Sequence, residues 1–312
     1  MTHHNLPKAC RLCQTESSDF TIVGHYVYGG SDDQKFYECP NCAVAFLYPP
    51  LSPDQEAHFY EQEFAKFMED RSGSLRGWEG PESHIAASRS EVTRRLPHIE
   101  QFINNTDMQV LDVGCSSGFM LFPLQAQGLR VYGVEPSKLF KPYIESQNIP
   151  VFDSIEQFEK DSGAYGQIDL LTHYFLLEHV RDPLTFLKKC LEQLKPTGKI
   201  FFEVPSRDDP LVSIYNIPAF HYFYWSVAHN WYFNYESLTY LLNQLNCSYE
   251  LIPEQRYDLS NHMYWAIEGK PGGMGRFSQS FTKELDAAYK KSMRETGHCD
   301  TYFAWINKGG SN

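Results

Sequence analysis

The stretch VLDVGCSSGFM, residues 110–120, runs an apolar segment into a turn holding an acid, two glycines, two serines and a cysteine. The pattern around it decides what the turn belongs to. From residue 109 onward short apolar runs alternate with helical patterns: QVLDVG, a helix to Gln127, RVYGVEP, a helix to Gln147, IPVFDS, a short helix, IDLLTH, a long helix and GKIFFEVP. Strands separated by crossover helices predict an α/β fold, a parallel sheet with helices on both faces. In such a sheet a ligand lies beyond the carboxyl ends of the central strands, where strand order reverses, and VLDVGCSSG is the first strand end at that edge.

Two ligand classes compete for the turn. A dinucleotide site would read GxGxxG, letting the backbone approach a pyrophosphate at a helix N-terminus. Here the spacing is GxxxG, Gly114 to Gly118, and Ser116 stands where the middle glycine would fall. Asp112 at the strand end places an anion beside the site. Negative charge there disfavours pyrophosphate and favours a ligand carrying an amine and a sulfonium, which describes S-adenosylmethionine. Glu135, 21 residues beyond Gly114 and followed by Pro136, has the separation expected of an acid that binds ribose hydroxyls. Asp153 and Ser154 end the next strand, where either an adenine contact or a cap on the following helix is expected.

Of eight cysteines, four form two CxxC pairs, Cys10/Cys13 and Cys39/Cys42, with 25 residues between them. Two such turns close a four-sulfur tetrahedral site with no open position, as in a structural zinc ribbon. Disulfides or free thiols are the alternative, and a cytosolic chain disfavours disulfides. His3 and His4 are not expected ligands, because four sulfurs complete the shell. A module this small would draw much of its folding free energy from the metal.

The formal charge of -12 leaves no excess positive field for phosphate backbones, so nucleic acid is not an expected partner. No run approaches the roughly 20 apolar residues of a membrane span, and the first residues lack the apolar core of a secretory signal. The expected location is cytoplasmic. Organisation follows as a ribbon over 1–50, a helical linker or lid over 51–81, the α/β domain over 82–270, and a C-terminal helix and tail over 271–312.

In the linker, Ala57, Tyr60, Phe64 and Phe67 share one helical face, and RSGSLRGWEGP reads as a glycine-rich loop. Ile85, Val92 and Leu96 predict a helix from Glu82 toward Pro97. Asp182 and Pro183 begin the long helix, with a stripe of Leu184, Leu187, Leu191 and Leu194. NYESLTYLLNQL is a further helix, CSYELIPE and HMYWAIEG are expected strands, and an amphipathic helix is expected over 280–293.

On these residues the chain resembles class I SAM-dependent methyltransferases, through VLDVGCSSG, VYGVEPS, the segment IDLLTHYFLLEHVRDPLTFLKKCLEQLKPTGKIFFEVP and HNWYFNYESLTYLL, over roughly residues 82–270. The ribbon followed by CAVAFLYPPLSPDQEAHFYE is similar to the N-terminal module of bacterial methyltransferases of surface-polysaccharide and deoxysugar pathways. The resemblance implies a Rossmann-like methyltransferase sheet in which Asp112, Gly114, Cys115, Ser116 and Gly118 wrap the methionine part of the cofactor. It also implies that Glu135 binds the ribose, and that residues near His173 and Tyr174 take the amino-acid end. Ser116 departs from the family's usual glycine. Cys115 is expected beside the cofactor rather than as a nucleophile, having no base next to it in sequence.

A sugar hydroxyl acceptor needs a general base. His179 in LLEHVRDP and His229 in SVAHNWYF are the candidates. The resemblance favours His229, although Ala228 stands where a glutamate commonly precedes it and a plain pocket residue is its alternative, while His179 reads more readily as a structural or cofactor-shell residue. The aromatic stretch from Tyr215 to Tyr235 suits stacking on a sugar ring, core packing or a homodimer contact. The expected activity is methyl transfer to a small-molecule or glycan acceptor, most directly a hydroxyl of a nucleotide sugar or surface glycan. Carbon methylation of a deoxysugar, methylation of a lipid, quinone or natural product, and a noncatalytic adaptor that keeps the fold are the alternatives.

Overall fold

The computed structural model describes residues 6–72 and 79–309; His3, His4 and most of the glycine-rich loop fall outside the described residues. The strands among the described residues are β1 (Thr21–Gly24), β2 (Lys35–Glu38), β3 (Ala45–Tyr48), β4 (Gln109–Val113), β5 (Arg130–Val134), β6 (Val151–Phe152), β7 (Ile168–Tyr174), β8 (Leu194–Pro205), β9 (Trp231–Tyr232), β10 (Ser248–Glu254) and β11 (Thr301–Asn307). The large sheet runs β10-β11-β8-β7-β4-β5-β6. It is parallel from β8 to β6, while β11 is antiparallel to both of its neighbours. Chain order therefore reverses at β4, between β5 and β7, and VLDVGCSSG ends at that crevice as its reading required.

Alternation along the central strands sorts their side chains into two apolar layers. Leu111, Val113, Leu171, Phe202 and Val204 are buried with Phe158, Leu187 and Leu191 of the helices Ile155–Asp161 and Pro183–Gln193. Val110, Leu170, Phe201 and Phe303 are buried with Ile99, Leu121 and Leu124 on the opposite face. Each such side chain contributes about 1.5–3 kcal/mol on burial. The long helix starts as read, Asp182 accepting from the Thr185 amide with Pro183 in the first turn.

Three expectations are corrected. HMYWAIEG is helical, within Leu259–Glu268: Asp258 caps its start, Gly269 ends it at φ +64°, and Ser260, Asn261, His262 and Trp265 are buried at helical rather than alternating spacing. The missing strand is β11, in the stretch assigned to the tail; buried on both faces, TYFAWIN shows no period of two. The helix expected from Glu82 to Pro97 is two helices, Pro81–Ala87 and Arg89–Glu100, separated at Ser88.

The cysteine-bearing module shares a sheet with the rest of the chain. Its strands run β1-β2-β3-β9, and β9 comes from the aromatic stretch, Ala45 facing Tyr232 and Phe46 facing Trp231. That stretch mostly packs inward: Phe220, Tyr224, Trp225, Trp231, Tyr232 and Phe233 are buried, while Tyr215, Tyr222 and Tyr235 are exposed.

Candidate functional site

The glycine turn is held by backbone geometry that its residue types permit. Gly114 and Gly118 have φ of +73° and +79°, and the Gly114 and Cys115 amides both donate to the Val134 carbonyl of β5. Ser116 occupies φ +50°, a left-handed angle less natural for serine than for the glycine it replaces. Its amide donates to Glu135 Oε2 at 2.7 Å, and the Ser137 amide donates to Oε1 at 2.8 Å. Two amides thus orient the Glu135 carboxylate at the end of β5. Burial nevertheless raises its pKa.

Asp112 is buried beneath the turn, where Thr172 Oγ1 donates to it at 2.7 Å. Burial pushes its carboxyl up to about 7, against the pull of Thr172 and nearby Arg95. Arg95 itself is buried, ion-paired through Nε to Glu203 Oε2 at 2.7 Å and lying 4.2 Å over the Tyr174 ring. Among the described residues, neither the buried Tyr174 hydroxyl nor the buried Ser116 hydroxyl has a hydrogen-bond partner. His84, from Pro81–Ala87, reaches the turn through Nδ1 to Ser117 Oγ at 2.9 Å. Its place over the turn had no sequence signal, since nothing local announces that this helix folds back there.

Other expected cofactor residues fall outside this crevice or are otherwise engaged. His173 alternates to the opposite face of β7 from Thr172 and Tyr174; its ring is wholly buried, stacks on Phe202 at 4.8 Å and has no hydrogen-bond partner among the described residues. As a side chain it is a core residue. Cys115 is buried in the apolar layer, its sulfur close against Gly133, and burial raises its pKa well above the usual thiol range. Ser154 caps Ile155–Asp161 by accepting from the Gln157 amide, which realises the helix-cap alternative. Asp153 stays at the surface, 63% exposed and paired with Lys141.

The two candidate bases meet. His179 and His229 cross edge to face with ring centroids 4.7 Å apart. One ligand atom from each of Glu178, His179 and His229 lies within 4.8 Å of the other two. His179 Nδ1 lies 2.7 Å from the Ala228 carbonyl, which can only accept, so Nδ1 carries the proton and Nε2 is the basic nitrogen. Burial lowers the His179 pKa to about 4 and puts that of His229 well below its usual value, so both rings are neutral at pH 7. Burial also raises Glu178 to about 8. Glu178 places a carboxyl group beside the pair, its Oε1 3.8 Å from His179 Nε2, and it is visible in LLEHV as the neighbour of His179.

In the sequence Tyr60 is only one member of an apolar stripe. Its hydroxyl lies 2.9 Å from His179 Nδ1 and donates to the Ala228 carbonyl at 3.1 Å. It projects from the π-helical turn Phe59–Glu63, a helix irregularity often found at functional sites. The linker helix therefore closes one side of the histidine pair.

At the N-terminal module, Cys10 and Cys42 sulfurs lie 3.7 Å apart and Cys13 and Cys39 sulfurs 3.6 Å apart. All four lie within 4.8 Å of one another, the spacing expected of thiolates around one tetrahedral ion. The backbone supports them, the Leu12 and Asn41 amides donating to the Cys10 and Cys39 sulfurs.

A family model describing a methyltransferase domain matches residues 85–251, the span from His84's neighbour to β10. The chain belongs to this methyltransferase domain family. It is 32% identical over 157 residues to a ubiquinone biosynthesis O-methyltransferase of Coxiella burnetii, covering 49% of this chain and 65% of that one. A protein of the same name from Histophilus somni is 31% identical over 157 residues, covering 47% and 64%. The chain thus spans just under two thirds of these curated relatives. Among solved structures, a SAM-dependent methyltransferase from Archaeoglobus fulgidus aligns with a TM-score of 0.50 at 18% identity, over 79% of this chain and all of that one, a likeness of fold. The methyltransferase family match includes the glycine turn, Glu135, Glu178, His179 and His229, but none of the four paired cysteines.

Proposed function

We propose that the protein is a SAM-dependent O-methyltransferase whose acceptor hydroxyl is deprotonated by the His179–His229 pair. The observation that carries this reading is the meeting of two neutral imidazoles and a carboxyl group from separate segments, near the carboxyl end of the parallel sheet.

The crevice at β4 fits the cofactor. An oriented Glu135 carboxylate suits ribose hydroxyls, the buried Asp112 suits positive charge, and the unpartnered Ser116 and Tyr174 hydroxyls are polar groups that a ligand would satisfy. Gly114, Gly118 and Pro136 complete the set, with the backbone of His173 at the strand end. When bound, SAM supplies an activated methyl group. The chain's own task is to align the acceptor, exclude water and receive a proton. His179 Nε2 is oriented for that by the Ala228 carbonyl, and Tyr60 and Tyr232 flank the pair, the Tyr232 ring lying 4.9 Å from that of His229. Cys10, Cys13, Cys39 and Cys42 would hold a zinc ion that fastens the N-terminal module.

For the acceptor we infer a hydroxyl of a nucleotide sugar or surface glycan, supported by the joint pattern of ribbon and methyltransferase fold. A second reading, a phenolic hydroxyl of a quinone precursor, is supported by the names of the two relatives. Radiolabelled methyl transfer from SAM into nucleotide sugars, extracted glycans and catechols separates them. Product NMR should show an O-methyl resonance; a C-methyl resonance would shift the reading to carbon methylation. Absence of SAM binding by calorimetry would leave the noncatalytic adaptor.

A further inference from the structure

We propose that Arg11, carried between Cys10 and Cys13, is a positioning residue for the His179–His229 pair, acting through Asn230, so that the four-sulfur module forms part of the active site. The inference rests on the reading of that pair as the base.

The connection is short and continuous. Arg11 Nη2 donates to Asn230 Oδ1 at 2.9 Å, Nη1 donates to the Leu47 carbonyl at 3.2 Å, and the guanidinium lies 4.8 Å over the Trp231 ring. Three contacts from one planar group leave it a single orientation. Asn230, buried and directly following His229, passes the constraint on. Its Nδ2 donates to the His179 carbonyl at 2.8 Å, and its amide donates to the Glu178 carbonyl at 2.8 Å. One asparagine therefore joins the loop of His229 to the turn of Glu178 and His179, and the arginine of the first cysteine knuckle fixes its side chain.

The backbone adds a second hold. β3 pairs with β9 immediately after Asn230, and the Leu47 amide donates to the Asn230 carbonyl at 3.0 Å. On the other side of the loop, the Tyr28 amide donates to the Trp225 carbonyl, and the Val227 amide donates to the Tyr28 carbonyl. The loop bearing His229 is thus clamped on both sides by the module that the cysteines organise. Asn230 Nδ2 also donates to Glu56 Oε1 at 3.3 Å, and Glu56 Oε2 binds Arg181, which brings the linker helix into the same network. A stand-alone structural ribbon would not need to direct its only knuckle arginine at the residue after His229.

The test uses the full-length, metal-loaded protein with Arg11→Gln and Arg11→Lys, read by histidine-ring NMR in the complex with S-adenosylhomocysteine. Ring signals are assigned by His179→Gln and His229→Gln. Arg11→Gln should keep one zinc per chain and the wild-type affinity for S-adenosylhomocysteine, shift or broaden the His179 and His229 signals, and leave His98 and His173 in place. Turnover should fall about tenfold to a hundredfold, as expected for a misplaced catalytic group, with Arg11→Lys recovering part of it. Unmoved His179 and His229 signals in a zinc-loaded Arg11→Gln protein overturn the proposal. Should that variant lose zinc, Asn230→Ser breaks the same link without touching the knuckle, and unmoved signals there overturn it equally. If the histidine substitutions leave turnover intact while Arg11→Gln still moves both rings, the base reading fails and the positioning role stands.

Discussion

His179 and His229, 50 residues apart in the chain, place their rings edge to face at 4.7 Å. Asn230 ties the two backbone segments together, and the contact makes either ring answerable to substitution of the other. Replacing the ring that takes the acceptor proton should lower turnover by about 10²–10⁴-fold. Replacing its neighbour should cost less. His229→Gln and His179→Gln, compared in single-turnover methyl transfer on whichever acceptor takes label, assign the base; both should keep the SAM affinity of the wild type by calorimetry. Full turnover in both variants would rule out the pair.

On the proposed reading, Asp112 would link SAM binding to pH. With its carboxyl pushed up to about 7, much of the free protein holds it neutral in mildly acidic solution. A cationic ligand favours the ionised form, so SAM affinity should rise with pH toward about 7, by up to about tenfold per pH unit. Binding at pH 6.5 should release protons, detected as heats that differ between buffers of different ionisation enthalpy. Asp112→Asn should abolish this slope and weaken binding at pH 8. The same raised value makes the folded state bind more protons than the unfolded chain between about pH 4 and 7. This group's contribution to the stability of the free protein therefore falls as pH rises through that window.

Gly114 is a position where a methyl group has two costs. At φ +73° an L side chain is strained, and an added Cβ would stand 3.2 Å from Leu176 Cδ2. Gly114→Ala should destabilise the protein by about 1–2 kcal/mol on the backbone term alone. It should weaken SAM binding more than it lowers the unfolding midpoint, because the turn itself must shift. Chemical denaturation and calorimetry on the same preparation separate the two effects; unchanged SAM affinity would place the ligand elsewhere.

The four-sulfur site predicts a metal-dependent fold. Elemental analysis should find one zinc per chain, and Cys39→Ser should lose it. Because the module contributes three strands to the sheet that contains β9, metal loss should lower the thermal midpoint of the whole protein, not of a detached fragment. A stripped sample with an unchanged midpoint would contradict this.

The sheet, its switch point and the glycine turn were legible because each depends on local residue types: apolar runs of strand length, glycines at left-handed angles and acids at strand ends. The CxxC spacing was legible for the same reason. What local pattern could not carry was pairing between distant segments. β9 is two residues long and gains strand character only by lying beside β3, and Tyr60 looks like any apolar stripe residue until the linker helix lands on His179. β11 lost its alternation to burial on both faces, and HMYWAIEG, rich in residues of strand preference, was taken into a helix by the Asp258 cap and Trp265 burial. His173 shows the limit of motif transfer: its position matched, but alternation along β7 turned its ring into the core.

The last prediction concerns charges that packing keeps behind the crevice. Glu203 is fully buried on β8, held by Arg95 Nε and Arg94 Nη2, each at 2.7 Å. Glu91 bridges the same arginines and Arg256. Burial opposes ionisation of Glu91, but Arg256, Arg94 and Arg95 outweigh it and hold its carboxyl down at about 2. Its stabilising contribution is therefore complete above the unfolded value of about 4.3 and lost as pH falls toward 2. Removing Glu203 leaves the buried Arg95 only its longer, 3.6 Å pair with Glu91, so Glu203→Gln should cost about 3 kcal/mol in chemical denaturation. Glu91→Gln, at a partly exposed position, should cost less and flatten the acid limb of the stability curve. Because Arg95 also covers the Tyr174 ring beside Asp112, Glu203→Gln should alter SAM affinity as well. Loss of stability with SAM affinity unchanged would show that the network supports the fold without shaping the crevice.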